Sequence, residues 1–210
     1  MSLADLLGRT RCLLIDFDGP ICAVFAGYPA SAVAAKLHAV IAARLGTVPA
    51  KIAELTANPL HILRRVADLD DPELTRAVAA ACRDAAVAAV ATAAPTPGAA
   101  DVLCAAREAG RRVAVVSNNN SAAVETYLQT RDLMGYVDGI AARFAGMDPR
   151  LLKPDPLLVN AALRTVGARP ADAVLVGDSV SDIEAGQAAG TATIGYANKP
   201  GKRDRLAVVC

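Results

Sequence analysis

Cys12-Leu13-Leu14-Ile15-Asp16-Phe17-Asp18-Gly19-Pro20 is an apolar run that ends in two carboxylates two positions apart and is stopped by a glycine and a proline. A short continuous apolar run bounded by turn residues suits a strand buried on both faces, as in a parallel sheet. Side chains alternate along a strand, so Asp16 and Asp18 are expected to lean toward one crevice at its carboxyl end. Carboxylates that close repel unless a cation lies between them or one is protonated. Taken alone, the segment is equally well a strand ending in a solvated Asp-rich turn.

Three later stretches break that tie. Val113-Ala114-Val115-Val116 is a second apolar run and ends in Ser117-Asn118; Lys153-Pro154 stands in a loop before a helix-like segment; Ala173-Val174-Leu175-Val176-Gly177 ends in Asp178, with Asp182 four residues on. The order Asp-x-Asp-Gly, Ser-Asn, Lys-Pro, Gly-Asp-Ser-x-x-Asp resembles the haloacid dehalogenase (HAD) superfamily, and in particular its phosphoglycolate-phosphatase-like branch. The resemblance runs from about residue 10 to residue 195. It implies an α/β fold: a three-layer Rossmann-like core whose parallel sheet has the order 5-4-1-2-3, plus an all-helical cap inserted after the first strand.

The chain pattern agrees with that division. Leu3 to Leu7 reads as a leader helix. Between residues 23 and 94 the pattern is helical throughout. Ser31 is the expected cap of a first helix ending at Gly46, Asn58-Pro59 opens another, and Asp71-Pro72-Glu73 opens a third that runs to about Ala94. From Gly98 onward strands and helices alternate, with strands expected at 112–117, 136–141, 173–177 and 191–195. Alternation of this kind means right-handed crossovers and a sheet covered on both faces. The expected domains are therefore a core of residues 1–22 and 95–210 and a helical cap of residues 23–94.

Bulk properties exclude several classes. The 210 residues carry a net charge of +1, and aromatics make up 3%. Neither a basic surface for nucleic acid nor an aromatic platform for stacked bases is present. The alanine-rich stretch 77–94 holds Arg83 and Asp84 and is too polar to span a bilayer. Cys12, Cys22, Cys82, Cys104 and Cys210 show no metal-ligand spacing, and buried reduced thiols at Cys12 and Cys104 point to a cytoplasmic protein. No signal peptide is evident. His38 and His61 lie outside every motif and read as helix-face residues.

The chemistry follows from the resemblance. Carboxylate oxygens converging on one point suit a hard cation, and Mg²⁺ is the natural occupant. The resemblance implies that the metal is held by Asp16, the backbone carbonyl of Asp18, Asp178, and Asp182 directly or through water. Asp16 is the implied nucleophile and Asp18 the implied general acid and base. Ser117, Asn118 and Lys153 are the implied phosphoryl-binding residues, and Lys153 with the metal is expected to keep Asp16 ionised. Taken singly, Ser117 and Asn118 are ordinary turn residues, Lys153 an ordinary surface lysine, and Asp182 an ordinary helix-start residue.

The implied activity is a Mg²⁺-dependent phosphatase acting on a small phosphorylated metabolite, as a monomer or homodimer. A phosphomutase with the same core chemistry and a non-catalytic regulatory or binding module are the alternatives; a dehalogenase is disfavoured by the second carboxylate, Asp18. Arg44, Lys51, Arg64 and Arg65 in the insert are available to meet an anionic substrate, or are merely solvated. Two departures from the pattern stand out. Pro20 replaces a residue with a backbone N–H, and the expected element after Gly195 is reduced to a remnant around Leu206–Val209.

Overall fold

The computed structural model describes residues 2–209. Helix α1 (Leu3–Arg9) opens on a capping box between Ser2 and Asp5 and leads into strand β1 (Cys12–Ile15). A two-residue strand, β2 (Cys22–Ala23), precedes four helices: α2 (Ala30–Leu45), α3 (Ala50–Ala53), α4 (Pro59–Ala67) and α5 (Pro72–Val90). Strand β3 (Ala94–Pro95) closes that insert. The remainder alternates: α6 (Ala99–Glu108), β4 (Arg112–Asn120), α7 (Ser121–Thr130), β5 (Gly139–Arg143), α8 (Leu157–Val166), β6 (Ala173–Gly177), α9 (Val180–Ala188), β7 (Ala192–Gly195) and α10 (Lys202–Ala207).

The main sheet is parallel, with order β5-β4-β1-β6-β7. Its numbering departs from the expected 5-4-1-2-3 because β2 and β3, which the sequence did not suggest, form a separate antiparallel ribbon. Strand alternation divides the core in two. Leu13, Ile15, Val113 and Val115 join a cluster with residues of α6 and α7, while Leu14, Ala114 and Val116 join one with α8 and α9. Strand β1 lies in the middle of the sheet, and each of its residues is buried.

The insert has a core of its own, in which Leu37 and Ile41 of α2 and Leu63 and Val66 of α4 meet Leu74 and Val78 of α5. Helix α5 belongs to both bodies. Its first half packs in the insert, while Ala86, Ala89 and Val90 pack with α7 and the sheet. The β2–β3 ribbon pairs Cys22 with Pro95 and Ala23 with Ala94, so the insert leaves and rejoins the core at one point.

Local signals fared unevenly. Asn58 and Asp71 cap α4 and α5 through their side chains. Ser31 does not cap α2, which begins at Ala30 behind Pro29 and has no side-chain cap; the Pro29 carbonyl accepts the Ala32 and Val33 N–H groups, so Ser31 already lies inside the first turn. Strand β5 starts at Gly139 instead of Tyr136, because Met134–Tyr136 form a single 3₁₀ turn. Strand β4 continues beyond Ser117 to Asn120 through a bulge. Cys12 is buried, whereas Cys104 is only half-buried, and Cys210 lies outside the described residues. Among the described residues no helix is long and apolar enough to cross a membrane.

The central place of β1 is testable. Leu14 is fully buried, so Leu14→Ala should lower stability by about 2–5 kcal/mol, the usual cost of emptying a leucine site in a packed core. A urea titration reads this as a lower midpoint with an unchanged slope, and a loss below about 1 kcal/mol would contradict the packing described.

Candidate active site

The carboxyl ends of β1, β4 and β6 meet above the middle of the sheet. Asp16 follows β1 directly, and its N–H donates to the Val176 carbonyl at 2.9 Å, which fixes it beside the end of β6. Gly19 then takes a φ of +116°, a region that favours glycine. A β-carbon at Gly19 would overlap the Asp178 carboxylate, so glycine is required for approach as well as for the turn. Gly177 plays a similar part, since a β-carbon there would collide with Asp182. The Asp18 carboxylate turns aside and accepts the Val24 N–H at 3.0 Å.

Asp16, Asp178 and Asp182 form a cluster in which one oxygen of each lies within 4.8 Å of the others. Lys153 reaches the cluster from the opposite side and is buried, not a solvated lysine. Its ammonium donates to Asp16 Oδ1 at 2.8 Å and to the Val116 carbonyl at 2.8 Å, and lies 2.5 Å from Asp182 Oδ1. The latter contact is an ion pair off hydrogen-bond alignment, so Asp182 Oδ1 has no hydrogen-bond partner. Asp182 Oδ2 accepts from the Ser179 N–H and hydroxyl, capping α9. Its helix-start role and its place in the cluster are thus filled by different oxygens.

Asn118 fixes the lysine loop. Its Oδ1 accepts the Lys153 N–H at 2.8 Å and its Nδ2 donates to the Lys153 carbonyl at 3.2 Å, so the Asn118 side chain grips the loop. Ser117 is buried, and its Oγ accepts the Asn119 N–H at 3.1 Å, which leaves its own proton free to donate.

Electrostatics reflect an excess of negative charge. Burial, then repulsion by Asp182, pushes the Asp16 pKa up to about 8, and Lys153 offsets this only partly. Lys153 acts in the expected direction, lowering the Asp16 pKa through its charge and its hydrogen bond. Burial opposes the Lys153 ammonium, but Asp16 and Asp182 outweigh it and hold its pKa above the ordinary lysine value. Burial also raises the Asp18 pKa, against the lowering effect of the Val24 N–H.

These residues fit a hard divalent cation. The donors are all carboxylate oxygens, and one buried oxygen lacks a hydrogen bond. One oxygen of each carboxylate lies within 4.8 Å of the others, close enough for a single ion to be shared among them.

Several residues enter the site unannounced by the sequence. Asp178 Oδ2 accepts from Asn198 Nδ2 at 3.0 Å and from the Lys202 ammonium. Thr96 Oγ1 donates to the Gly19 carbonyl at 2.6 Å and steadies the turn beside Pro20. Arg64 of α4 donates to the carbonyls of Leu152 and Lys153, the second at 2.6 Å, and ties the insert to the lysine loop. Arg44 pairs with Asp71 and Glu73, while Arg65 pairs with Asp68. The only advance sign of Asn198 and Lys202 was the polar Ala197-Asn198-Lys199-Pro200-Gly201-Lys202 stretch after the last strand.

Comparison with known proteins follows this geometry. Phosphoglycolate phosphatase from Aquifex aeolicus is 37% identical over 99 residues, 47% of this chain and 45% of that protein. Pyrophosphatase PpaX from Bacillus velezensis is 32% identical over 91 residues, 43% of this chain and 41% of that protein. The chain thus matches less than half the length of either relative. The crystal structure of CbbY from Rhodobacter sphaeroides in complex with phosphate shares the fold, with a TM-score of 0.63 at 22% identity over 90% of this chain and 87% of that one. A model of the haloacid dehalogenase-like hydrolases matches residues 10–190, most of the chain and all of the clustered carboxylates and Lys153. On that match the chain belongs to the haloacid dehalogenase-like hydrolase family.

Proposed function

We propose that this protein is a Mg²⁺-dependent phosphatase that hydrolyses a small phosphorylated metabolite through an aspartyl-phosphate intermediate. The observation that carries the reading is the division of the two carboxylates after β1. Asp16 sits in the charged cluster against Lys153, and Asp18 is held out of it by the Val24 N–H. The phosphatase and pyrophosphatase named among the relatives support hydrolysis over phosphomutase chemistry and over a non-catalytic module.

Asp16, Asp178 and Asp182, with the Asp18 backbone carbonyl, would hold the metal. When bound, it supplies positive charge that lowers the Asp16 pKa and neutralises phosphoryl oxygens. An Asp16 oxygen attacks phosphorus in line, the bond to the leaving oxygen breaks, and Asp18 gives its proton to that oxygen. The raised Asp18 pKa keeps the proton available. Asp18, now a carboxylate, takes a proton from water, whose oxygen attacks phosphorus and releases Asp16 with inorganic phosphate. The Ser117 hydroxyl and the Lys153 ammonium hold phosphoryl oxygens, and Asn118 holds the lysine loop in place.

In this reading residues 23–94 are a cap over a core of residues 1–22 and 95–210. The insert's separate cluster and the β2–β3 ribbon at its root support that role. A cap excludes water and supplies substrate contacts.

Phosphate release should vanish in EDTA-treated protein and return with Mg²⁺. Asp178→Asn should abolish the Mg²⁺-induced rise in Tm along with activity; full turnover without metal would remove the reading. Asp16→Asn should form no covalent adduct. Asp18→Asn should slow turnover by about 10²–10⁴-fold, the usual worth of a general acid or base, with a smaller loss for a nitrophenyl phosphate whose leaving group needs little protonation. Mass spectrometry of acid-quenched Asp18→Asn protein should find phosphate on Asp16, and phosphate on Ser117 instead would refute the assignment.

A further inference from the structure

Helix α5 and the loop after β5 line a half-open cavity of about 380 Å³ at the boundary between insert and core. Arg76 and Arg83 of α5 line it together with Asn120, Arg143, Phe144 and Arg150, while Asp16, Asp18 and Lys153 do not. Asp70, Asp71 and Asp148 also line it, but each is engaged by an arginine: Arg150 is shared by Asp70 and Asp148, and Arg44 pairs with Asp71, while Arg83 pairs with Asp84. Arg76 and Arg143 have no carboxylate within ion-pair distance among the described residues.

Arg143 is the anomaly. It is only 3% exposed, yet its guanidinium has just two neutral acceptors, the Asn118 carbonyl at 3.3 Å from Nε and the Ala79 carbonyl at 3.5 Å from Nη1. Nη2 is buried with no hydrogen-bond partner among the described residues. Burial without an opposing charge holds the guanidinium below the ordinary arginine pKa. An unpaired buried cation is costly, and a planar guanidinium is shaped to receive a carboxylate or phosphate in a bidentate grip.

We propose that this cavity binds the anionic group, carboxylate or phosphate, of a small metabolite, with Arg143 as its partner and Arg76 at the rim. Two sources would satisfy the same chemistry: the far end of the phosphorylated substrate, or a separate ligand. Strand β5 lies two places from β1, so Arg143 stands roughly 10 Å across the sheet from Asp16, at about 4.8 Å per strand. Either ligand would be felt at the phosphoryl site. Arg143 grips the Asn118 carbonyl, Asn118 grips the Lys153 backbone, and the Lys153 ammonium meets Asp16. Because Arg143 also touches Ala79 of α5, the ligand would bear on how the insert sits against the core.

The probe is sodium succinate, a dicarboxylate with no phosphoryl group, titrated calorimetrically into the full-length protein at constant ionic strength. Saturable binding is expected in the wild type. Arg143→Met should abolish it, and Arg76→Ala should weaken it by about tenfold, the scale of one charge-assisted hydrogen bond. Ser117→Ala, which alters the phosphoryl crevice, should bind as the wild type does. Arg76 is exposed, so its variant keeps the test decisive if Arg143→Met fails to fold. Absence of wild-type binding, binding unchanged in both arginine variants, or binding lost only in Ser117→Ala would overturn the proposal. The source shows in phosphate-release assays. Inhibition by succinate that is competitive only for substrates with a second anionic group points to the substrate's far end, and equal effects on nitrophenyl phosphate point to a separate ligand. The binding test needs no turnover, so it fails or succeeds independently of the phosphatase reading.

Discussion

The Lys153 ammonium is buried at the end of the central strand, and most of the site is arranged around the cost of keeping it there. A lysine loses its hydration shell on burial and survives as a cation only where acceptors replace that shell. Three replace it here, from three elements: the Asp16 carboxylate after β1, the Val116 carbonyl on β4 and the Asp182 carboxylate on α9. Its backbone is held as firmly, by Asn118 on β4 and by Arg64 from the insert. The lysine therefore binds three neighbouring parts of the core to one another and to the insert. Removing it would leave two buried carboxylates facing each other without a cation.

Much of this was legible because the acceptors sit where strands end. A buried parallel strand announces itself by an unbroken apolar run, and the first polar residue after it lies by construction at the sheet's carboxyl edge. Asp16, Ser117 and Asp178 were placed by that rule, and Lys153 by its fixed order among them. What could not be read was contact made across long sequence separation by residues without pattern. Lys202 reaches Asp178 only because the chain turns back after β7, and nothing local to Lys202 marks the turn's direction. Arg143 fell just beyond the strand expected at 136–141, and its contact with Ala79 of α5 spans 64 residues of chain. The two-residue strands β2 and β3 carry too little periodicity to be seen at all.

Helix α5 shows how the insert can be both separate and coupled. Its apolar stripe is shared between two clusters, with Leu74 and Val78 facing α2 and α4, and Ala86 and Val90 facing α7. The small residues of its second half allow close packing on the core, and the larger ones of its first half build the insert. A rigid helix anchored at one end transmits displacement of the other, so motion of the insert relative to the phosphoryl crevice would pivot about the α5–α7 contact and the β2–β3 ribbon. Two arginines bridge insert and core through backbone carbonyls: Arg64 of α4 donates to Lys153 of the core, and Arg143 of the core donates to Ala79 of α5. Carbonyl acceptors are easier to release than carboxylates, since a broken contact leaves no buried anion behind.

The charge balance of the crevice argues that the segment after β7 belongs to the site. Asp16, Asp178 and Asp182 stand against Lys153 alone if the chain is considered only to Gly195, and like charges at this spacing repel one another. Lys202 changes the count. It meets Asp178 at Oδ2, an atom it shares with Asn198, and leaves Oδ1 as the oxygen not already engaged. A carboxylate held by one oxygen presents the other in a fixed direction, which is how supporting residues orient the ligands of a metal. Lys199 and Lys202 also act on Asp18, lowering its pKa against the rise caused by burial. In the proposed reaction Asp18 serves first as acid and then as base, so opposing influences on its proton bear on both steps. The residues between Tyr196 and Lys202 thus bear on both carboxylates whose roles differ, although no motif marks them.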